Sequence, residues 1–144
     1  MKSQNLAINV SSITMIDTYK NVVDIFGGPE AMAKKFGISI STVYKWTAGK
    51  LMSMTLAIRI HVAMPEISLK SLLGYELYCD PIYFKVLDHF RTQSAAGKAL
   101  GLSQYTVRAW LTGELRISLE KASLLEEITQ GKFHPSDFPH LVEG

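Results

Sequence analysis

Residues 33–46 read AKKFGISISTVYKW, and residues 97–110 read GKALGLSQYTVRAW. In each, a small residue (Ala33, Gly97) is followed four positions on by glycine (Gly37, Gly101), then by an apolar residue (Ile38, Leu102) and a serine (Ser39, Ser103). Valine comes four positions after the serine (Val43, Val107), and tryptophan three after that (Trp46, Trp110). The glycine suits the end of a helix, where the left-handed backbone carries no β-carbon penalty, and the serine suits the start of the next, where its hydroxyl accepts from a backbone amide. A small residue ahead of the turn lets the second helix cross the first closely, and Val and Trp at helical spacing face a core. The opposite face of the second helix is left with no packing duty.

Working outward, the chain matches itself at an offset of 64 residues. Tyr19, Val22, Asp24, Phe26, Ala31, Lys34, Gly37, Ser39, Thr42, Val43, Trp46, Gly49 and Leu51 fall on Tyr83, Val86, Asp88, Phe90, Ala95, Lys98, Gly101, Ser103, Thr106, Val107, Trp110, Gly113 and Leu115, which is 13 identities between Tyr19 and Leu51. Self-similarity at a fixed period marks a repeated structural unit. Beyond Leu51 the second copy carries one extra residue, so that Ser53, Ala57 and Ile60 pair with Ser118, Ala122 and Leu125, and the insertion is expected in a loop.

Each copy reads as helices. In the first, Ile16, Tyr19, Val23 and Phe26 recur at helical spacing, with Ser11 or Ser12 as the cap and Gly27-Gly28 as the stop. Further helices are expected from Pro29 to Gly37, from Ser39 to about Ala48, from Ser53 or Thr55 onward, and from Ser68 to Leu77. In the second copy they run from Asp80-Pro81 to Phe90, from Ser94 to Leu100, from Ser103 to Thr112 and from Ser118 to Thr129. Ala7 to Ile13 alternates enough for a short strand or an arm. The fold class is therefore all-α: an N-terminal arm (1–14) and two tandem domains of four to five helices (15–74 and 75–144). The apolar stretch LGYELYCD, residues 73–80, is expected to pack between them rather than to act as a flexible tether.

Composition narrows the function. With 144 residues, 47% apolar and 19% charged, the chain can build a core and is too short for a large enzyme. The weakly apolar Leu6–Ile16 stretch is broken by Asn9, Ser11, Ser12 and Thr14, so no membrane span is expected. Only Lys2 precedes it and no small-residue cleavage site follows, so no secretory signal is expected and the chain is placed in the cytoplasm. Cys79 has no partner for a disulfide and no adjacent His or basic residue to make it a thiolate; it reads as a buried linker residue. His61, His89, His134 and His140 lack metal-ligand spacing, and no phosphate loop or catalytic constellation stands out, so neither metal, cofactor nor enzymatic activity is expected. Residues 1–72 carry eight basic against four acidic side chains, and residues 73–144 seven against nine, so phosphate attraction is concentrated in the first half.

The paired pattern resembles the helix-turn-helix of the Cro and phage-repressor (XRE-type) family. The stretches ISLEKASLLEEITQGKFHPSDF and, more loosely, SMTLAIRIHVAMPEISLKSLL resemble the tails of YdaS-type small regulators. The resemblance runs from about Thr18 to Phe138 and implies lambda-repressor-like domains that bind double-stranded DNA. Its functional implication is a transcriptional regulator, a repressor of a phage, mobile-element or stress operon, reading a bipartite site with two recognition helices. With Val43 and Trp46 turned inward, the first reading face comprises Ser39, Ile40, Ser41, Tyr44 and Lys45, flanked by Thr42. Ile40 and Tyr44 suit thymine methyls or sugars, and Lys45 a guanine. The second comprises Ser103, Gln104, Tyr105, Arg108 and Ala109, flanked by Thr106, with Gln104 suited to adenine and Arg108 to guanine. Backbone amides near Glu30 and Ser94, with Lys34, Lys50 and Lys98, are phosphate-anchoring candidates. Two rivals stay open: the first domain alone binds DNA while the second serves dimerisation or a partner, or the chain is an antitoxin or adapter acting on a toxin or other regulatory protein. Homodimerisation of the whole chain is open as well.

Overall fold

The structure, a computed structural model, describes residues 15–142. The expected arm at Ala7–Ile13 and the Ser11 or Ser12 cap lie outside the described residues. The protein is all-α, with no strand among the described residues, and the chain divides into two compact units between Glu76 and Leu77. No helix among them is long and apolar enough to cross a membrane.

In the first unit, α1 covers residues 15–25 and is followed by α2 (Pro29–Phe36), α3 (Ile40–Thr47), α4 (Met54–Ala63) and α5 (Leu69–Leu73). In the second, α6 (Ile82–Phe90), α7 (Gln93–Leu100), α8 (Gln104–Thr112) and α9 (Leu119–Ile128) precede a 3₁₀ turn at Pro135–Asp137 and a short α10 (Pro139–Val142). Serine caps set most of the starts: the Ser39, Ser53, Ser68, Ser103 and Ser118 hydroxyls accept from the amides of Thr42, Leu56, Ser71, Thr106 and Lys121 at 3.1–3.2 Å. Such a cap is worth about 1 kcal/mol.

Two sequence expectations are corrected. α7 is capped by Thr92, whose hydroxyl accepts from the Ala95 amide at 3.0 Å, so Ser94 stands inside the helix instead of opening it. α5 ends at Leu73, because Gly74 turns left-handed at φ 83°, and does not reach Leu77. Of the segment 73–80 only Leu73 is buried; Tyr75 and Tyr78 are 45% and 83% exposed. Tyrosine tolerates this because its hydroxyl is satisfied by water.

The cores follow one plan. Tyr19, Val23, Met32, Val43, Trp46 and Ile60 are buried in the first unit, and Tyr83, Leu87, Ala96, Val107, Trp110 and Leu125 in the second. In each, the tyrosine lies against the tryptophan, with ring centroids 6.5 Å apart for Tyr19–Trp46 and 5.8 Å for Tyr83–Trp110. Each tyrosine hydroxyl also accepts a loop amide at 3.0 Å, from Met52 in the first unit and Ile117 in the second. These partners are 33 and 34 residues on, so the extra residue of the second copy is absorbed in the α8–α9 connection. Burial raises the pKa of both hydroxyls above the ordinary tyrosine value, which keeps them protonated at neutral pH.

The units close differently. Tyr19 donates to the Leu72 carbonyl at 2.8 Å, tying α5 to α1. In the second unit the closing group is apolar: the Phe138 ring, fully buried, lies 5.3 Å from Tyr83, while the His140 Nε2 meets the Ile117 carbonyl at 2.7 Å. Tyr19→Phe removes two buried partners and should destabilise the first unit by about 2 kcal/mol, whereas Tyr83→Phe removes one and should cost the second about 1 kcal/mol. Urea unfolding followed by tryptophan fluorescence measures both; equal losses would contradict the different closures. Position 91, the repeat equivalent of Gly27, offers a second test. Both residues end a helix in a left-handed conformation, Gly27 at φ 96° and Arg91 at φ 74°, and a side chain there costs on the order of 1 kcal/mol. Arg91→Gly is expected to raise the stability of the second unit by roughly that amount in the same assay.

Candidate nucleic-acid interface

The turn between α2 and α3 is built from Gly37, Ile38 and Ser39. Gly37 sits at φ 66°, ψ 36°, and the Ile38 amide returns to the Ala33 carbonyl at 3.0 Å. The second unit repeats the geometry: Gly101 at φ 69°, ψ 32°, with the Leu102 amide on the Gly97 carbonyl at 2.7 Å. Here the approach is so close that a β-carbon on Gly97 would stand 2.6 Å from the Leu102 carbonyl oxygen. A small residue is thus required on steric grounds at this crossing.

With the turn set, α3 buries Val43 and Trp46, and α8 buries Val107 and Trp110. Ser39, Ile40, Ser41, Tyr44, Lys45 and Lys50 are exposed and Thr42 half-buried. In the second unit Ser103, Gln104, Tyr105 and Arg108 are exposed and Thr106 half-buried. Ala109 is a correction to the second reading face: it is buried, as is Leu111 beyond it. Lys45, at the equivalent place in the first unit, stays in solvent.

The hydroxyls at both helix starts are engaged. Ser39 Oγ lies 2.9 Å from Thr42 Oγ1 and Ser103 Oγ 3.1 Å from Thr106 Oγ1, in addition to their capping bonds. These four residues therefore hold the first turn of α3 and α8 in place. Among the described residues, the side chains of Ile40, Ser41, Tyr44, Lys45, Gln104, Tyr105 and Arg108 make no hydrogen bond or ion pair to the rest of the protein, so they are available to an external ligand.

The phosphate-anchoring candidates are also on the surface: Glu30, Lys34, Ser94 and Lys98 are all exposed. Their helix starts differ. α2 begins after Gly28 with no side-chain cap, leaving its first amides to solvent, whereas Thr92 already engages the Ala95 amide of α7. Glu30 contributes only its backbone to this purpose, because its carboxylate repels phosphate. Two basic residues were missed in the sequence. Lys35 is exposed beside Lys34, and the Lys121 ammonium on α9 lies 3.7 Å from the place a Gly101 β-carbon would occupy, next to the second turn. Lys35 was legible as an outward neighbour in the helix; Lys121 stands 20 positions beyond Gly101 and no local pattern links them.

Cys79, half-buried, lines a cavity of about 120 Å³ with Asp80, Tyr83, Trp110 and Arg116 at the C-terminal end of α8. Burial pushes its thiol up to about 12, so it is a structural thiol and not a nucleophile at neutral pH. The histidines fasten local structure: His61 Nδ1 lies 2.6 Å from the Ile67 carbonyl, and His134 pairs with Glu126.

The geometry defines a class: an all-helical protein in which a helix, a tight glycine-serine turn and a second helix with a free outer face occur in succession. Compared with curated proteins, the chain is 36% identical over 56 residues to the regulatory protein Cro of Pseudomonas phage D3, a match that spans 39% of this chain and 77% of that protein. The chain belongs to the Cro family of regulatory proteins. The matched 56 residues are fewer than either compact unit holds, so the likeness accounts for one unit's length of chain. No family model and no solved structure matches it.

Proposed function

We propose that the protein is a sequence-specific double-stranded DNA-binding transcriptional regulator, a repressor of a phage, mobile-element or stress operon. In this reading it is a tandem of two helix-turn-helix domains whose α3 and α8 enter the major groove of one bipartite site. The observation that carries it is the exposed, unengaged outer face of the helix after each glycine-serine turn, together with membership of the Cro family. A helix about 10–12 Å across fits the major groove, where base edges distinguish all four base pairs. Lys34, Lys35, Lys45 and Lys50 surround α3, and Lys98, Arg108 and Lys121 the second turn, which supplies the phosphate attraction that orients the protein without reading sequence.

A second reading, in which only the first unit touches DNA and the second serves dimerisation or a partner, is favoured by the basic excess of the first half and by the burial of Ala109. The two readings differ in their operator. Selection of bound duplexes from a random pool at near-physiological salt, where phosphate attraction alone is weak, should enrich one site with two unlike halves. Enrichment of a single short element would support the second reading, and no enrichment would remove DNA recognition altogether.

A further inference from the structure

Residues four apart on a helix lie along one edge of it. On α3 two such edges face out: Ile40 with Tyr44, and Ser41 with Lys45. At the same register on α8 stand Gln104 with Arg108, and Tyr105 with Ala109. Because Ala109 is buried, the edge that begins with Tyr105 is covered after one turn, and only the Gln104–Arg108 edge is open along its length. The hydroxyls the two helices share, at Ser39 and Thr42 and at Ser103 and Thr106, are taken by the caps. The open edges are therefore unlike in kind: α3 presents an apolar pair, Ile40 and Tyr44, 36% and 54% exposed, beside its Ser41–Lys45 edge, whereas the one edge of α8 open along its length is a hydrogen-bonding pair.

Resting on the DNA-binding reading above, we propose that the two units read their half-sites by different chemistry. The first recognises thymine 5-methyl groups through Ile40 and Tyr44, and the second recognises an adenine next to a guanine through Gln104 and Arg108. An apolar side chain gains affinity from a thymine methyl, which uracil lacks, by removing it from water. Gln and Arg need the purine N7 as one of two acceptor or donor sites, and Arg108 in place of Tyr44 brings a fork of donors that an aromatic ring cannot.

Base analogues in the selected duplex separate the two. Replacing thymine by uracil in the first half-site should weaken binding of the full chain about fourfold per contacted methyl, a loss that shrinks in Ile40→Ala and disappears when Tyr44→Ala is added. Replacing guanine by 7-deazaguanine in the second half-site should weaken it about tenfold, a loss that disappears in Arg108→Ala. Circular dichroism on these variants checks that they are folded. Uracil tolerated at every position, or a 7-deazaguanine effect that persists in Arg108→Ala, overturns the proposal while leaving DNA binding intact. Failure of the chain to select any duplex would instead strike the functional reading on which it rests.

Discussion

The structure depends on how closely the helix before each turn is allowed to approach the one after it. A three-residue connection gives the chain little slack, so the direction of α3 and α8 follows from the left-handed glycine, the return of the next amide to a carbonyl five residues earlier, and the serine cap. At Gly97 the tolerance is nearly exhausted, since one methyl group would collide with the Leu102 carbonyl. Ala33 occupies the matching place in the first unit and is itself buried, so that crossing accommodates a β-carbon. Everything functional follows from this constraint. Once the helix direction is set, Val and Trp must point inward, and the side chains opposite them must point out.

The tyrosine beneath each tryptophan extends the constraint to the rest of the unit. Its hydroxyl takes up an amide of the connection that follows α3 or α8, so the C-terminal end of each outward-facing helix is moored to the first helix of its unit. In a protein of this size each unit has a small core, and a buried amide left without an acceptor costs more than an ordinary hydrogen bond contributes. The tails then complete the two units by different means, a polar bond from Tyr19 to Leu72 in one and the Phe138 ring in the other.

Much of this is legible in the amino-acid sequence alone. The 64-residue offset, the serine caps at Ser39, Ser53, Ser103 and Ser118 and the inward Val and Trp positions are local signals, and local physics sets them. The misreadings share a cause. Thr92 competes with Ser94 for one helix start, and spacing alone does not say which hydroxyl reaches the amide. Gly74 stops α5 through its own backbone, overriding the apolar run that continues past it. The burial of Ala109 depends on what covers the C-terminal half of α8, and the proximity of Lys121 to Gly101 on how α9 packs; both are tertiary facts with no counterpart in periodicity. Candidate side chains on the reading faces were legible because an amphipathic helix announces its outward positions once its inward ones are known.

If nucleic acid lies against those faces, backbone amide NMR during titration with the selected duplex shows the largest shift changes at residues 39–45 and 103–108, with small ones along α4, α5 and α9 away from Lys121. Perturbations centred on those other helices, with α3 and α8 unmoved, would contradict that placement.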